Sequence, residues 1–191
     1  LFAGLLVVNL FSESASRSPD LIVRNANYVK KVIFPVEILS ISVVSSATIN
    51  ALAGMLILIL SSWMVTGFSL FALWLPWIWM PLLLLSLGTS WIIAAIGVYI
   101  RDIGQIVSLL LAVLLFITPV FYPIAALPEK WQFILSFNPL AAIVEQTRNV
   151  VISEKAPDPV YLFVAPLLAW IFAELSLRTF LRCKHGFADV L

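Results

Sequence analysis

Long apolar segments are the feature that most limits what this chain can fold into. Four of them cover residues 37–60, 75–99, 106–122 and 160–181, and each comes close to the length of about 20 residues that crosses a bilayer as a helix. Charged residues make up only 11% of the 191 positions, whereas soluble domains are about 25% charged. The sequence therefore predicts an all-α integral membrane protein, a polytopic helical bundle with four full spans.

Two further apolar segments are too short to cross a bilayer. Residues 1–12 are mostly apolar and begin without methionine, and we interpret them as the end of a truncated span that starts upstream. Residues 123–159 contain a short apolar run that Asn138-Pro139 interrupts. Because proline breaks a helix, we predict two half-helices that enter the membrane and return as a re-entrant hairpin.

Lysine and arginine are distributed unequally between the two sides that these spans define. Eight of the eleven lie in residues 13–36, at Arg101 and in the C-terminal tail, whereas only Lys130, Arg148 and Lys155 lie on the other side. Cytoplasmic loops carry the excess of basic residues. We therefore predict that the first group and the C-terminus are cytoplasmic and that the hairpin faces outwards.

The polar segment 13–36 separates the first apolar run from the first full span. Within it, Ser18-Pro19-Asp20 is typical of a helix start, and Leu21-Ile22-Val23-Arg24 then allows a short amphipathic helix outside the bilayer. Such a helix could dock a soluble partner. A solvated loop whose lysines follow the positive-inside rule explains the same residues, so the segment alone leaves both interpretations open.

Three smaller features also allow two interpretations each. Arg101-Asp102 could organise a gate or partner contact, or it could be a snorkelling arginine beside a helix-capping aspartate. Glu174 is a candidate for a proton relay within a span, but an ion pair with Arg178, four residues later, is the simpler interpretation. Aromatic residues of the outer half could stack on sugar rings or form an interfacial belt. They are Phe116, Phe121, Tyr122, Trp131, Phe133 and Phe137.

Motifs for bond chemistry are missing from the sequence. It contains no Gly-Lys pair and therefore no P-loop, and the single Cys183 and single His185 do not make a zinc site. A net charge of +1 gives no electrostatic argument for nucleic acid as a partner. We therefore expect no catalytic residue, no metal and no cofactor in this chain.

Three segments along the chain occur in a characteristic order. The first is Asn27-Tyr28-Val29-Lys30-Lys31-Val32-Ile33-Phe34-Pro35-Val36-Glu37-Ile38-Leu39, and the second is Tyr99-Ile100-Arg101-Asp102-Ile103. The third is Thr118-Pro119-Val120-Phe121-Tyr122-Pro123, followed by Asn138-Pro139-Leu140 and Arg148. These resemble, in turn, the start of the third span, the turn between the fourth and fifth spans, and the outward hairpin of ABC-2-type exporter permeases for lipid-linked polysaccharides such as O-antigens, capsules and teichoic acids.

The resemblance implies a six-span family fold, truncated here at its N-terminus, in the cytoplasmic (inner) membrane. Two copies would pair around a channel for lipid-linked polysaccharide, and each would dock on a cytoplasmic ATPase subunit that holds the Mg-ATP. The region 14–27 would act as the coupling helix. An ABC-2 exporter of drugs or small lipids would share this fold. A membrane-embedded glycosyltransferase would instead need an acid–base cluster, and a proton-coupled transporter would depend on Glu174.

The resemblance also implies which residues would act. The expected ATPase-coupling residues are Ser18, Asp20, Leu21, Ile22, Arg24, Asn27, Lys31, Arg101 and Asp102. The expected glycan path, lined by the third full span and shaped at its exit by the hairpin, contains Phe116, Phe121, Tyr122, Trp131 and Phe137. The turn of the hairpin is expected at Asn138 and Pro139.

Overall fold

The computed structural model describes residues 1–29, 34–66, 70–121, 128, 130, 132, 135 and 137–190. Within these residues all regular secondary structure is helical, which confirms the predicted fold class. The helices are α1 (Phe2–Arg17), α2 (Leu21–Arg24), α3 (Ala26–Val29), α4 (Ile38–Thr66), α5 (Leu75–Tyr99), α6 (Ile103–Ile117), α7 (Pro139–Val151), α8 (Pro159–Lys184) and α9 (Phe187–Val190), with a 3-10 turn at Leu70–Trp74 before α5.

Three stretches of the described chain are long and apolar enough to cross a membrane. They are Ile38–Met64, Leu70–Tyr99 and Pro159–Lys184, with 27, 30 and 26 residues. The segment predicted as the third full span, 106–122, forms the 15-residue α6, which rises only about 22 Å. Its helix ends at Ile117 because Thr118 takes the extended conformation that a following proline favours.

Helix α1 extends beyond the predicted end of the truncated span. Residues 13–17, predicted as part of the cytoplasmic loop, continue the helix to Arg17. An ion pair of 2.8 Å between Arg17 and Glu13 spans this last turn, and the Ser14 hydroxyl donates to the Leu10 carbonyl at 2.9 Å. The polar side chains that suggested a loop therefore form bonds within the helix, which is why composition alone misplaced its end.

The core of the bundle consists of two apolar clusters at different heights. The first surrounds α1, where Val7 and Leu10 pack between the small Ala47 of α4, Ile78 of α5 and Val144 of α7. The second lies at the opposite end of α5 and joins α2, α8 and α9 to it. Its members include Ile22, Trp91, Val98, Phe180 and Phe187. Helix α5 contributes to both clusters and is therefore the central helix of the bundle.

Candidate functional site

The segment that precedes α2 is bonded directly to α5. Ser18 is fully buried, and its hydroxyl lies 2.7 Å from the Ser14 carbonyl oxygen and 2.8 Å from the Ser90 hydroxyl. With one proton and two lone pairs, Ser18 can donate to the carbonyl and accept from Ser90. A buried hydroxyl needs such partners, so this pair fixes the polar segment on a helix of the second apolar cluster.

Pro19 extends the contact between this segment and α5. The Pro19 carbonyl lies so close to Gly97 that any side-chain carbon on Gly97 would overlap it. A glycine is therefore required at position 97 because backbone meets backbone there. Pro19 also approaches Gly104 at the start of α6, where an added Cβ would lie at an ordinary 3.7 Å.

The apolar residues of α2 face inwards. Leu21 is 9% exposed and Ile22 is fully buried, both in the cluster that contains Trp91 and Val98. Leu21 and Ile22 were expected among the ATPase-coupling residues; the structure shows that both are buried against the bundle, and their role in coupling stays a prediction. Because the amphipathic helix turns its apolar side to α5, these two residues attach the segment to the bundle and lie beneath its surface.

The polar side of the same segment is open. Asp20 and Arg24 form an exposed ion pair of 3.0 Å, and Val23 and Asn27 are also exposed. We call Asp20, Val23, Arg24 and Asn27 the coupling surface. Lys31, predicted to belong to the same surface, lies outside the described residues.

The turn between α5 and α6 lies at the same end of the bundle as the coupling surface, since Gly104 and Pro19 are neighbours. Arg101 and Asp102 are both exposed in this turn. Asp102 occupies the position before α6 but makes no side-chain hydrogen bond to its first turn. The capping role considered for Asp102 is therefore not seen, and both side chains point to solvent beside the coupling surface.

An ion pair that the sequence did not predict joins α8 to the start of α4 at this end. The Lys184 ammonium lies 2.9 Å from the Glu37 carboxylate, and the Trp91 indole donates to the Glu37 backbone carbonyl at 3.2 Å. The Tyr99 hydroxyl donates to the Cys183 carbonyl at 3.1 Å. Burial raises the pKa of Glu37, but its backbone hydrogen bond and Lys184 together lower it below its usual value. Glu37 and Lys184 are 147 positions apart in the sequence, so sequence reasoning could not predict this contact.

Helix α6 has the opposite character to α5, because among its residues only Val107 is buried. Leu109, Leu110 and Phe116 are 67%, 61% and 72% exposed. Of the predicted glycan-path residues, Phe116 is exposed near the C-terminal end of α6, Phe121 is exposed just beyond it, and Phe137 is exposed beside Asn138. The remaining two, Tyr122 and Trp131, lie outside the described residues.

The predicted hairpin turn is a helix start. The Asn138 side chain accepts a hydrogen bond from the Leu140 backbone N–H at 3.0 Å, and Pro139 occupies the first turn of α7. Asn138 also donates to the Thr118 hydroxyl at 3.3 Å, which ties the turn to the end of α6. Helix α7 covers the residues predicted to form the returning half of a hairpin. Most of the predicted incoming half, at residues 131–136, lies outside the described residues, so the hairpin stays a prediction.

Three further charged residues of the described chain have defined contacts. Arg178 and Glu174 form an ion pair of 2.7 Å, the contact that the simpler interpretation of Glu174 predicts. Arg148, on α7, donates to the Val120 carbonyl and lies beside Gly4 of α1. It therefore connects α7 to α1 and to the segment after α6.

Comparison with known proteins now identifies the family. Residues 1–152 match the family model of the ABC-2 type transporter. The O-antigen export system permease protein RfbA of Klebsiella pneumoniae is 27% identical over 100% of this chain and 74% of its own length, and RfbA of Myxococcus xanthus is 28% identical over 99% and 74%. The polysialic acid transport protein KpsM of Escherichia coli is 28% identical over 79% and 59%. Because the family model covers more than half of the chain, this multi-pass membrane protein belongs to the ABC-2 type transporter family.

Proposed function

We propose that this chain is the permease subunit of an ATP-driven exporter that moves a lipid-linked, O-antigen-like polysaccharide across the cytoplasmic membrane. The observation that carries the proposal is the attachment of the exposed coupling surface to α5 through Ser18 and Pro19, beside the exposed α6. The relatives support the cargo, since the names they carry are those of O-antigen and polysialic acid transport proteins.

In this proposal the coupling surface binds an ATPase subunit that holds the Mg-ATP. Asp20, Val23, Arg24 and Asn27 offer an exposed patch of mixed charge, with Arg101 and Asp102 next to it. A displacement of this patch would pass to α5, because Ser18 is hydrogen-bonded to Ser90 and Pro19 rests on the backbone at Gly97. No flexible spacer separates the surface from the central helix, so a push on the surface would move the helix itself.

The channel in this proposal lies between two copies of the chain. The exposed leucines of α6, at 67% and 61% for Leu109 and Leu110, leave a face that a second copy can cover. Phe116 and Phe121 lie towards the outer end of the same segment and are 72% and 55% exposed. Aromatic faces at this position suit contact with sugar rings as the glycan leaves.

The orientation follows from which residues share an end of the bundle. Lys184 contacts Glu37 and lies near the coupling surface, since the Cys183 carbonyl bonds to Tyr99 beside the Arg101 turn. This end holds most of the lysine and arginine residues, and basic residues concentrate on the cytoplasmic side. We therefore place the coupling surface and the C-terminus in the cytoplasm and α7 at the outer side.

The test is a charge reversal on the coupling surface of the full-length permease. The double variant Val23→Asp with Arg24→Glu should lower the co-purification of the ATPase and the amount of surface glycan by about tenfold or more, the effect of losing about 1.4 kcal/mol of binding. Lys155→Glu, a reversal at the other end of the bundle, should change neither. Normal ATPase binding and normal export in the double variant would contradict the proposal. Loss of drug efflux with unchanged surface glycan would contradict the polysaccharide cargo alone.

A further inference from the structure

Helix α1 has a polar exposed side, although its other side packs in the core of the bundle. Val7 and Leu10 belong to the first apolar cluster, whereas Asn9, Ser16 and Arg17 are exposed. Asn9 makes no side-chain hydrogen bond to the part of the chain that the structure describes. An amide without a partner is unfavourable in lipid, so this side of α1 needs polar surroundings.

Glu13 joins the polar side of α1 to α4. Its carboxylate accepts a hydrogen bond from the Asn50 amide at 3.1 Å and forms an ion pair of 2.8 Å with Arg17. The Arg17 and Glu13 side chains remain 52% and 25% exposed, and Asn50 is exposed as well. The three side chains are therefore bonded to one another and still open on their outer side. We call Asn9, Glu13, Arg17 and Asn50 the polar wall.

The position of Asn50 along α4 places the polar wall inside the bilayer. Asn50 lies near the middle of the span Ile38–Met64, about 18 Å along the helix from Ile38. Its hydrogen bond holds the Glu13 carboxylate at a similar depth. Ionisable side chains at this depth face the interior of a bundle or a water-filled cavity, because contact with lipid tails is unfavourable for them.

The exposed apolar residues of α4 lie away from the polar wall. Leu52 and Leu56 are 51% and 63% exposed. Successive residues of an α-helix are about 100° apart, so Leu52 lies about 160° around the helix from Asn50. The exposed side of α4 therefore has an apolar edge that suits lipid and a polar edge that adjoins α1.

The polar wall is next to the export path that we place along α6. Helix α1 packs against both α4 and α6, so its exposed side adjoins that of α6. Gln105 and Ser108 are also exposed on α6, at the end nearer the coupling surface. Water that fills a passage along α6 would therefore also reach the polar wall.

The chemistry of the polar wall suits sugar hydroxyl groups. The ion pair of Glu13 and Arg17 has no net charge, so it does not select a phosphate or an ammonium. A carboxylate accepts hydrogen bonds, a guanidinium donates them, and the two asparagine amides do both. A sugar ring presents several hydroxyl groups that each donate and accept, and it can use all of these partners.

We propose that the polar wall lines a water-filled part of the export path and binds sugar hydroxyl groups of the glycan inside the membrane. The Asn9 and Asn50 amides and the Glu13 carboxylate form the hydrogen bonds to the sugar, and Arg17 orients Glu13. This proposal rests on the proposed function, since it needs a polysaccharide as the cargo.

The first experiment measures whether water reaches the polar wall in the full-length permease bound to its ATPase. Asn50→Cys and Leu52→Cys are made separately together with Cys183→Ser, and inside-out membrane vesicles are treated with a charged, membrane-impermeant methanethiosulfonate. Asn50→Cys should react at least about tenfold faster than Leu52→Cys, because the thiolate is the reactive form and lipid disfavours it. Equal rates, or no reaction of Asn50→Cys because lipid or another helix covers it, would overturn the proposal.

The second experiment tests the glycan as the ligand. Vesicles from cells that make the glycan should show about fivefold slower labelling of Asn50→Cys than vesicles from cells that do not, and Asn50→Leu should lower export by about fivefold, the equivalent of about 1 kcal/mol. Leu52→Ala should export normally, and ATPase co-purification should be unchanged in both variants. Labelling that is independent of the glycan, or normal export by Asn50→Leu, would overturn the sugar assignment. A failure of the proposed function would appear separately, as normal surface glycan in the double variant of the coupling surface.

Discussion

Helices α5 and α6 follow each other in the sequence and are both strongly apolar, yet their surroundings differ completely. Half of the span that contains α5 is buried within the chain, whereas α6 has a single buried residue, Val107. Both helices carry large apolar residues, and α5 buries several of them, such as Ile78 and Trp91, but α5 also has small residues where it meets its neighbours. Helix α5 meets its neighbours through Gly88, Ser90 and Gly97, while α6 presents leucine, valine and phenylalanine to its surroundings.

Apolar character alone therefore does not determine whether a helix is buried inside a membrane bundle. Lipid tails are as apolar as leucine, so helices associate where small residues let backbones approach and polar groups bond across the contact. Gly88 accepts the ring of Phe172 and Gly97 accepts the Pro19 carbonyl, which makes α5 central. The large side chains of α6 lack such contacts within the protomer, in agreement with a face for a second copy.

Truncating one leucine on each helix tests most directly whether α5 is buried and α6 is exposed. Leu82 of α5 is fully buried and Leu110 of α6 is 61% exposed. Leu82→Ala should lower the free energy of unfolding by about 3 kcal/mol because it leaves a cavity, and Leu110→Ala should change it by less than about 0.5 kcal/mol. Unfolding in mixed micelles measures both. Equal losses would show that α6 is packed within the protomer after all, and the proposed face for a second copy would then be lost.

A matched pair of glycines tests the contact with Pro19. Gly97→Ala should cost about 2 kcal/mol of stability, since the new methyl group overlaps a backbone carbonyl that cannot move aside. Gly104→Ala places its methyl group 3.7 Å from the same proline and should be neutral or slightly stabilising, because alanine favours the helix by about 1 kcal/mol over glycine. Thermal unfolding of the purified variants separates the two outcomes. A neutral Gly97→Ala would refute the close contact between the coupling segment and α5.

The hydrogen bond between Ser18 and Ser90 should contribute less than these packing contacts. Ser18→Ala should lower stability by about 1 kcal/mol because the buried Ser90 hydroxyl loses its partner. Replacing both serines should cost less than the sum of the single changes, and a double-mutant cycle measures this coupling. Ser16→Ala, at an exposed serine two residues away, serves as the control. Additive single effects would show that the two hydroxyls do not interact.

Sequence reasoning recovered the elements better than their contacts. The predicted span 75–99 has the bounds of α5 itself, because the tryptophans and the Arg101-Asp102 joint mark its ends. The burial of Ile22 against α5 was not predicted, since an amphipathic turn shows that one side is apolar but does not show what covers it. The end of α1 was missed for a related reason. Glu13 and Arg17 were assigned to a loop because they are charged, whereas in the structure their ion pair lies within the last turn of the helix.

The same limit applies to the candidate site. Asn138 and Pro139 were predicted as a hairpin turn because turn chemistry is local. The structure shows a helix start there, and the hairpin itself stays a prediction. The contact between Glu37 and Lys184 depends on two residues that the chain brings together only when α4 and α8 are packed. The exposure of α6 depends on what the rest of the protomer leaves uncovered. Contacts of this kind follow from tertiary structure, and no spacing in the sequence encodes them.

The ion pair of Glu37 and Lys184 gives the smallest predicted effect, and pH makes it visible. Glu37 has a pKa below its usual value, because its backbone hydrogen bond and Lys184 outweigh the effect of burial. The folded state therefore binds this proton less readily than the unfolded state, so the stabilisation is full above the unfolded pKa of about 4.5 and is lost as pH falls through the lowered value. Both side chains are about one third exposed, which limits the contribution to less than about 1 kcal/mol.

The test measures the free energy of unfolding between about pH 3 and 7. In this range Glu37→Gln should reduce the dependence of the free energy of unfolding on pH. Arg24→Gln, which removes one partner of a more exposed pair, should leave it unchanged. If the profile of Glu37→Gln matched that of the unmodified protein, the link between α8 and the start of α4 would be a contact without energetic consequence, and the second apolar cluster would hold this end of α8 in place.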